Sequence, residues 1–118
     1  MPRDGRVMLV GTAPQIGRLF DGGPVSVSRV TRQILFYDYV ADILERRGPY
    51  REAHLAGIQA GRESGQVVMA GPLGDPPHGA MIVFGDVGRS TIEAFARSDP
   101  YVKAGLVAAW RVEPWKVL

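Results

Sequence analysis

The sequence predicts an α+β domain with a ferredoxin-like βαββαβ order and an antiparallel four-stranded sheet. Four short apolar or aromatic runs, Ile34–Tyr37, Val67–Ala70, Met81–Phe84 and Leu106–Val112, have the length of strands and end at glycine, proline or polar residues. Two stretches of helical spacing fall between them, giving strand–helix–strand–strand–helix–strand. The chain has 118 residues, 46% hydrophobic and 22% charged, which is the size and balance of one globular domain.

The elements follow in order. Ile34, Leu35, Phe36 and Tyr37 open the sheet. Gly48-Pro49 starts the first helix, since proline fits the first helical position. That helix carries Ala53, Leu55, Ala56 and Ile58 as its apolar face and frays between Gly61 and Gly65. The second strand stops at Gly71-Pro72, and the Gly74–Gly79 loop, rich in proline, leads to the third. Ser90 and Glu93 have capping-box spacing ahead of Ile92, Phe95 and Ala96, the apolar face of the second helix. Asp99 is placed to cap one further turn at Pro100, which Gly105 closes. Pro114 lies near the end of the last strand, a position tolerated only at an edge or a terminus.

Residues 1–32 differ from residues 33–118. Gly5, Gly11, Gly17, Gly22 and Gly23, with Pro2, Pro14 and Pro24, oppose regular structure, and five arginines are scattered among them. The segment is read as a flexible arm, either a targeting sequence or an over-extended start. Asp4 and Asp21 count against a transit peptide. A cytoplasmic location is expected, with organellar import if the arm is a transit peptide.

Two helices cover only one face of a four-stranded sheet. The first three strands are continuous apolar runs rather than alternating ones, which implies burial on both faces. A second copy's sheet is the simplest cover, so a homodimer is expected.

Several function classes fall away. Without cysteine there is no disulfide, thiolate chemistry or cysteine metal site. A net charge of +2 with no basic stripe does not suit nucleic acid. No apolar run approaches the ~18 residues of a membrane span. Gly71-Pro72-Leu73-Gly74 does not open a helix, so it is no phosphate loop. His54 and His78, without HExxH spacing, are poor metal ligands, so no metal and no cofactor is expected.

His54 borders the apolar face of its helix, with Arg51 three residues earlier on the same side. It is either an acid–base group or a structural histidine at the helix–sheet boundary. Asp99 is either a helix cap or the carboxylate that orients His54; at 45 residues' separation the sequence cannot join them. The tyrosines read as packing aromatics, with Tyr37 or Tyr101 able to line a pocket.

Tyr37-Asp38-Tyr39-Val40, Ala41-Asp42-Ile43-Leu44-Glu45-Arg46-Arg47, Arg51-Glu52-Ala53-His54-Leu55, Ala70-Gly71-Pro72 and Ser98-Asp99-Pro100-Tyr101-Val102-Lys103-Ala104-Gly105 occur in that order. Together they resemble the YCII-like family of the dimeric α+β barrel superfamily over residues 33–118. The resemblance implies a ferredoxin-like protomer whose sheet pairs with a second copy's into a barrel. It also implies a pocket between helices and sheet, with a catalytic His–Asp pair matching His54 and Asp99. Arg51, Gly71 and Pro72 match residues near that pocket, and Asp42 matches a recurrent acidic position. Relatives of this kind include a dehydrochlorinase of chlorinated hydroxyhydroquinones, and related barrels isomerise lactones or act as cofactor-free oxygenases.

The expected function is therefore cofactor-independent acid–base chemistry on a small aromatic or lactone-like molecule. His54 moves the proton and Asp99 holds its tautomer. Arg51 steadies an anionic group, and Tyr37, Gly71 and Pro72 contact the substrate. The alternative is a non-catalytic ligand-binding or dimerisation module in which His54 is structural.

Overall fold

The computed structural model describes residues 30–118. The arm expected over residues 1–32 lies outside this range up to position 29. Its last three residues belong to the first strand, which is longer than the apolar run that signals it. The elements are β1 (Val30–Tyr39), α1 (Ile43–Arg46), α2 (Gly48–Glu63), β2 (Val67–Leu73), β3 (Gly79–Phe84), α3 (Arg89–Ser98), α4 (Pro100–Lys103) and β4 (Val107–Val117). The sheet has the order β2-β3-β1-β4, with β3 antiparallel to both β1 and β2. This is the ferredoxin-like arrangement that the sequence predicts, with short α1 and α4 added before the second and fourth strands.

The register assigns the faces. Leu35 pairs with Ile82 and Tyr37 with Ala80, and all four are buried in the main core with Phe84, Val67, Ile92, Ala96 and Val112. Each fully buried large side chain there contributes roughly 1.5–3 kcal/mol by leaving water. Alternation turns Ile34, Phe36, Met81 and Val83 to the opposite face. A smaller core of Ile43, Tyr101 and Leu106 forms where α1 and α4 meet the start of β4. Gly105, at φ 76°, makes the left-handed turn between α4 and β4 without a side-chain penalty.

Both strands that contain proline are edges of the sheet, which is why they run further than expected. β2 continues through Gly71-Pro72 to Leu73, and β4 through Pro114 to Val117. An edge strand tolerates the missing N–H of proline on its open side.

Two local expectations fail. The capping box of Ser90 and Glu93 does not form: Gly88 is the N-cap of α3, Ser90 lies inside the helix, and Glu93 accepts from Arg89 Nε at 3.0 Å. On α2, the inward face is His54, Ile58 and Gly61 rather than one centred on Leu55, which is 46% exposed. Gly61 sets that rotation. A Cβ there would stand 2.6 Å from a methyl of Val67, whereas Gly48 and Gly57 face open space, so α2 meets the sheet at Gly61 and turns His54 inward.

Candidate active site

His54 and Asp99 meet. His54 lies in the second turn of α2, on its inward face; Asp99 lies in the corner between α3 and α4. The imidazole Nδ1 is 2.9 Å from Asp99 Oδ1 and 3.0 Å from Oδ2, and both residues are 5% exposed. A carboxylate only accepts, so Nδ1 donates to it, and Nε2 lies on the far side of the ring.

Asp99 is held from three directions. It caps α4 as expected, its Oδ1 accepting from the Tyr101 backbone N–H at 2.9 Å. Its Oδ2 accepts from the Tyr37 hydroxyl at 2.8 Å. With His54 Nδ1, three donors converge on one buried carboxylate, so both of its oxygens are hydrogen-bonded. Tyr37 is thus a support beneath the dyad. It is 1% exposed and does not line the cavity, although the sequence pointed to substrate contact. Burial pushes the Tyr37 phenol far up, and the neighbouring Asp99 charge adds to that push.

The cavity above the dyad measures about 170 Å³. His54 forms part of its wall, with Ile58 and Leu55 from α2 and Ala80 and Ile82 from β3. Arg51 from α2 and Gly71 and Pro72 from β2 also line it. About 150 Å³ of apolar space is enough to hold a benzene ring. The space here therefore suits one ring or a molecule of that size.

Tyr101, one of the two tyrosines read as able to line a pocket, lines it, and two further lining residues, Arg47 and Tyr39, were not among the site candidates. The Tyr101 ring stacks on His54, and Tyr39 meets Tyr101 edge to face with centroids 5.9 Å apart. Burial pushes Tyr39 up to about 12, against the pull of Arg47 and Arg51. Burial also raises Tyr101, opposed by the same two guanidiniums, with Arg51 set against its hydroxyl. The one available sequence sign was the spacing of Arg47 and Arg51, one helical turn apart and on one side.

Among the described residues no three His, Asp or Glu side chains gather as a metal site. His78 stands apart from the dyad in the β2–β3 turn, packed over Gly74. No described helix is long and apolar enough to cross a membrane.

The model of the YCII-related domain matches residues 32–116. The chain belongs to the YCII-related family. Among its relatives are Protein YciI of Escherichia coli O6:H1 (strain CFT073) and Protein YciI of Shigella flexneri. Each is 32% identical over 92 residues, covering 70% of this chain and 94% of the relative. A similar solved structure is the 5-chloro-2-hydroxyhydroquinone dehydrochlorinase TftG of Burkholderia phenoliruptrix AC1100, in complex with 2,5-dihydroxybenzoquinone. It aligns with a TM-score of 0.62 at 25% identity, over 72% of this chain and 93% of that one. Family membership extends over β1 to β4 and includes every residue of the dyad and cavity described above.

Proposed function

We propose that this YCII-related protein is a cofactor-independent enzyme that moves a proton on a small cyclic molecule, with His54 and Asp99 as the acid–base pair. One observation carries the reading: Nδ1 of His54 is fixed on a buried carboxylate while the same ring walls a ring-sized cavity. Nε2 takes a proton from an O–H or activated C–H of the substrate. Asp99 fixes the tautomer beforehand and stabilises the imidazolium afterwards. Arg51 stabilises oxyanion character as it develops. The solved relative acts on a chlorinated hydroxyhydroquinone, which supports a small aromatic substrate here.

The working unit in this proposal is a homodimer joined through the sheet face opposite the main core. Phe36, Leu73, Met81 and Val83 make that face apolar, and Met69 on it is 57% exposed.

A structural role for the dyad is the second reading, favoured by the capping bond that Asp99 makes with Tyr101 whatever His54 does. Two assays on wild type and His54→Asn separate the readings. One is chloride release from 5-chloro-2-hydroxyhydroquinone; the other is deuterium uptake from solvent by 2,5-dihydroxybenzoquinone, followed by proton NMR. Catalysis seen in wild type and lost in His54→Asn supports the enzyme. If wild type accelerates neither process, or His54→Asn matches it, the binding-module reading stands.

A further inference from the structure

The two arginines on the cavity wall are in an unfavourable place for the helix that carries them. Arg47 is the N-cap residue of α2 and Arg51 lies one turn on, with no acidic residue in the first turn. Like charges at this spacing repel, and both stand at the positive end of the helix dipole. Local carboxylates do not relieve them. Asp42 is engaged by Arg46 at 3.4 Å, and among the described residues neither Arg47 nor Arg51 pairs with an acid. Both guanidiniums line the cavity and act on both lining phenols, Tyr39 and Tyr101. His54, nine-tenths buried, lines the same cavity, with Nε2 unpartnered among the described residues. The same cavity wall carries apolar Ile58, Ala70 and Ile82.

We infer that the natural ligand enters already negatively charged, a planar ring-sized carboxylate or acidic enol whose anionic group lies between Arg47 and Arg51. This rests on the proposed use of the cavity as a substrate site, and it adds a substrate class and a second binding residue, Arg47. The polarity of the site fixes the ligand's direction. The anion is drawn to the arginines and repelled from Asp99, which leaves the reacting O–H or C–H beside Nε2. Guanidinium forks suit a planar oxyanion pair better than a single hydroxyl. The cost to α2 of two cations at its positive end is offset when the anion binds.

Benzoate and benzamide, which share shape but not charge, test the inference by calorimetric titration of the full chain. Benzoate is expected to bind at least about tenfold more tightly, the effect of one charge-assisted contact. Arg47→Gln and Arg51→Gln each remove most of that preference, weakening benzoate binding more than benzamide binding. Lys103→Gln, outside the cavity, removes the same charge and leaves the preference intact. Arg51→Lys retains part of it, which covers the case of a poorly folding Arg51→Gln. Arg47→Gln without ligand should melt no lower than wild type. Equal affinity for the two probes, binding of neither, a preference insensitive to both arginines, or a lower melting point for Arg47→Gln overturns the inference. The titration involves no turnover. Charge preference without catalysis therefore sinks the enzyme reading alone, and catalysis without charge preference sinks this one alone.

Discussion

The Tyr101 ring lies flat on the His54 imidazole, with centroids 3.8 Å apart and planes 4° from parallel. The backbone N–H of the same residue holds Asp99. Residue 101 therefore fixes both members of the dyad, the carboxylate by hydrogen bonding and the imidazole by covering one face. With Nδ1 tied to Asp99, His54 has little freedom to rotate. Tyr101→Phe keeps ring and backbone and should stay within about 1 kcal/mol of wild type in urea melts. Tyr101→Ala should cost about 3–5 kcal/mol, as for other large aromatic truncations. In the exchange assay it should lose roughly 100-fold in rate even where folded, because the proton acceptor is no longer aimed.

Tyr37 offers a separate test of the carboxylate. Tyr37→Phe removes a buried donor to a charged acceptor and should destabilise by roughly 1.5–3 kcal/mol in chemical denaturation. His54 Nδ1 and the Tyr101 N–H still hold Asp99. Nitrogen-15 NMR of the ring should therefore still show a proton on Nδ1 and a bare Nε2. Asp99→Asn should instead mix the two tautomers, since an amide can present either an oxygen or an NH₂ to the ring. An unaltered tautomer in the Asp99→Asn variant would mean that Asp99 does not orient His54.

How much of this could be read from the chain depends on the range of the forces involved. Element order followed from local apolar runs and breakers, and so did the Asp99 cap, whose partner is two residues away. The extents of β2 and β4 did not follow, because Pro72 and Pro114 are tolerated only by virtue of edge positions that the sheet order decides. The inward face of α2 was misplaced for a similar reason. Gly61 packs on Val67, and a glycine carries no hydrophobic weight in a periodic pattern. His54 and Asp99 were legible as candidates, yet their meeting across 45 residues belongs to the folded chain. Tyr37 was noticed for its ring, whereas its hydroxyl contact with Asp99 gives it its place.

The apolar second face of the sheet, with Met69 exposed on it, predicts self-association. Sedimentation velocity at micromolar concentration should show a dimer. Met69→Glu places a charge on that face, opposite Val83 in the β2–β3 register, and should shift the protein towards monomer. The substitution leaves the buried main core untouched, so the melting behaviour of the monomer should report the dimer's contribution. A wild-type monomer under these conditions would remove the proposed barrel.

Alkaline pH should destabilise the protein through the tyrosines around the dyad. A phenol ionises near 10.0 in the unfolded chain, whereas burial holds Tyr39 back to about 12 and pushes Tyr37 higher. Below about pH 10 both states keep the proton, and these groups contribute their full stabilisation. Above it the unfolded state sheds protons that the folded state retains, so stability falls as pH rises. For Tyr39 the loss develops between 10.0 and about 12, after which both states are ionised. Tyr37 continues the decline beyond that window, because burial and the Asp99 charge both oppose a second anion there. Urea melts at about pH 9 and about pH 11.5 should show the drop, and it should be smaller in Tyr39→Phe. If Tyr39→Phe shows the same slope as wild type, then Tyr39 ionises alike folded and unfolded, and the cavity is wetter at that wall than its packing against Tyr101 implies.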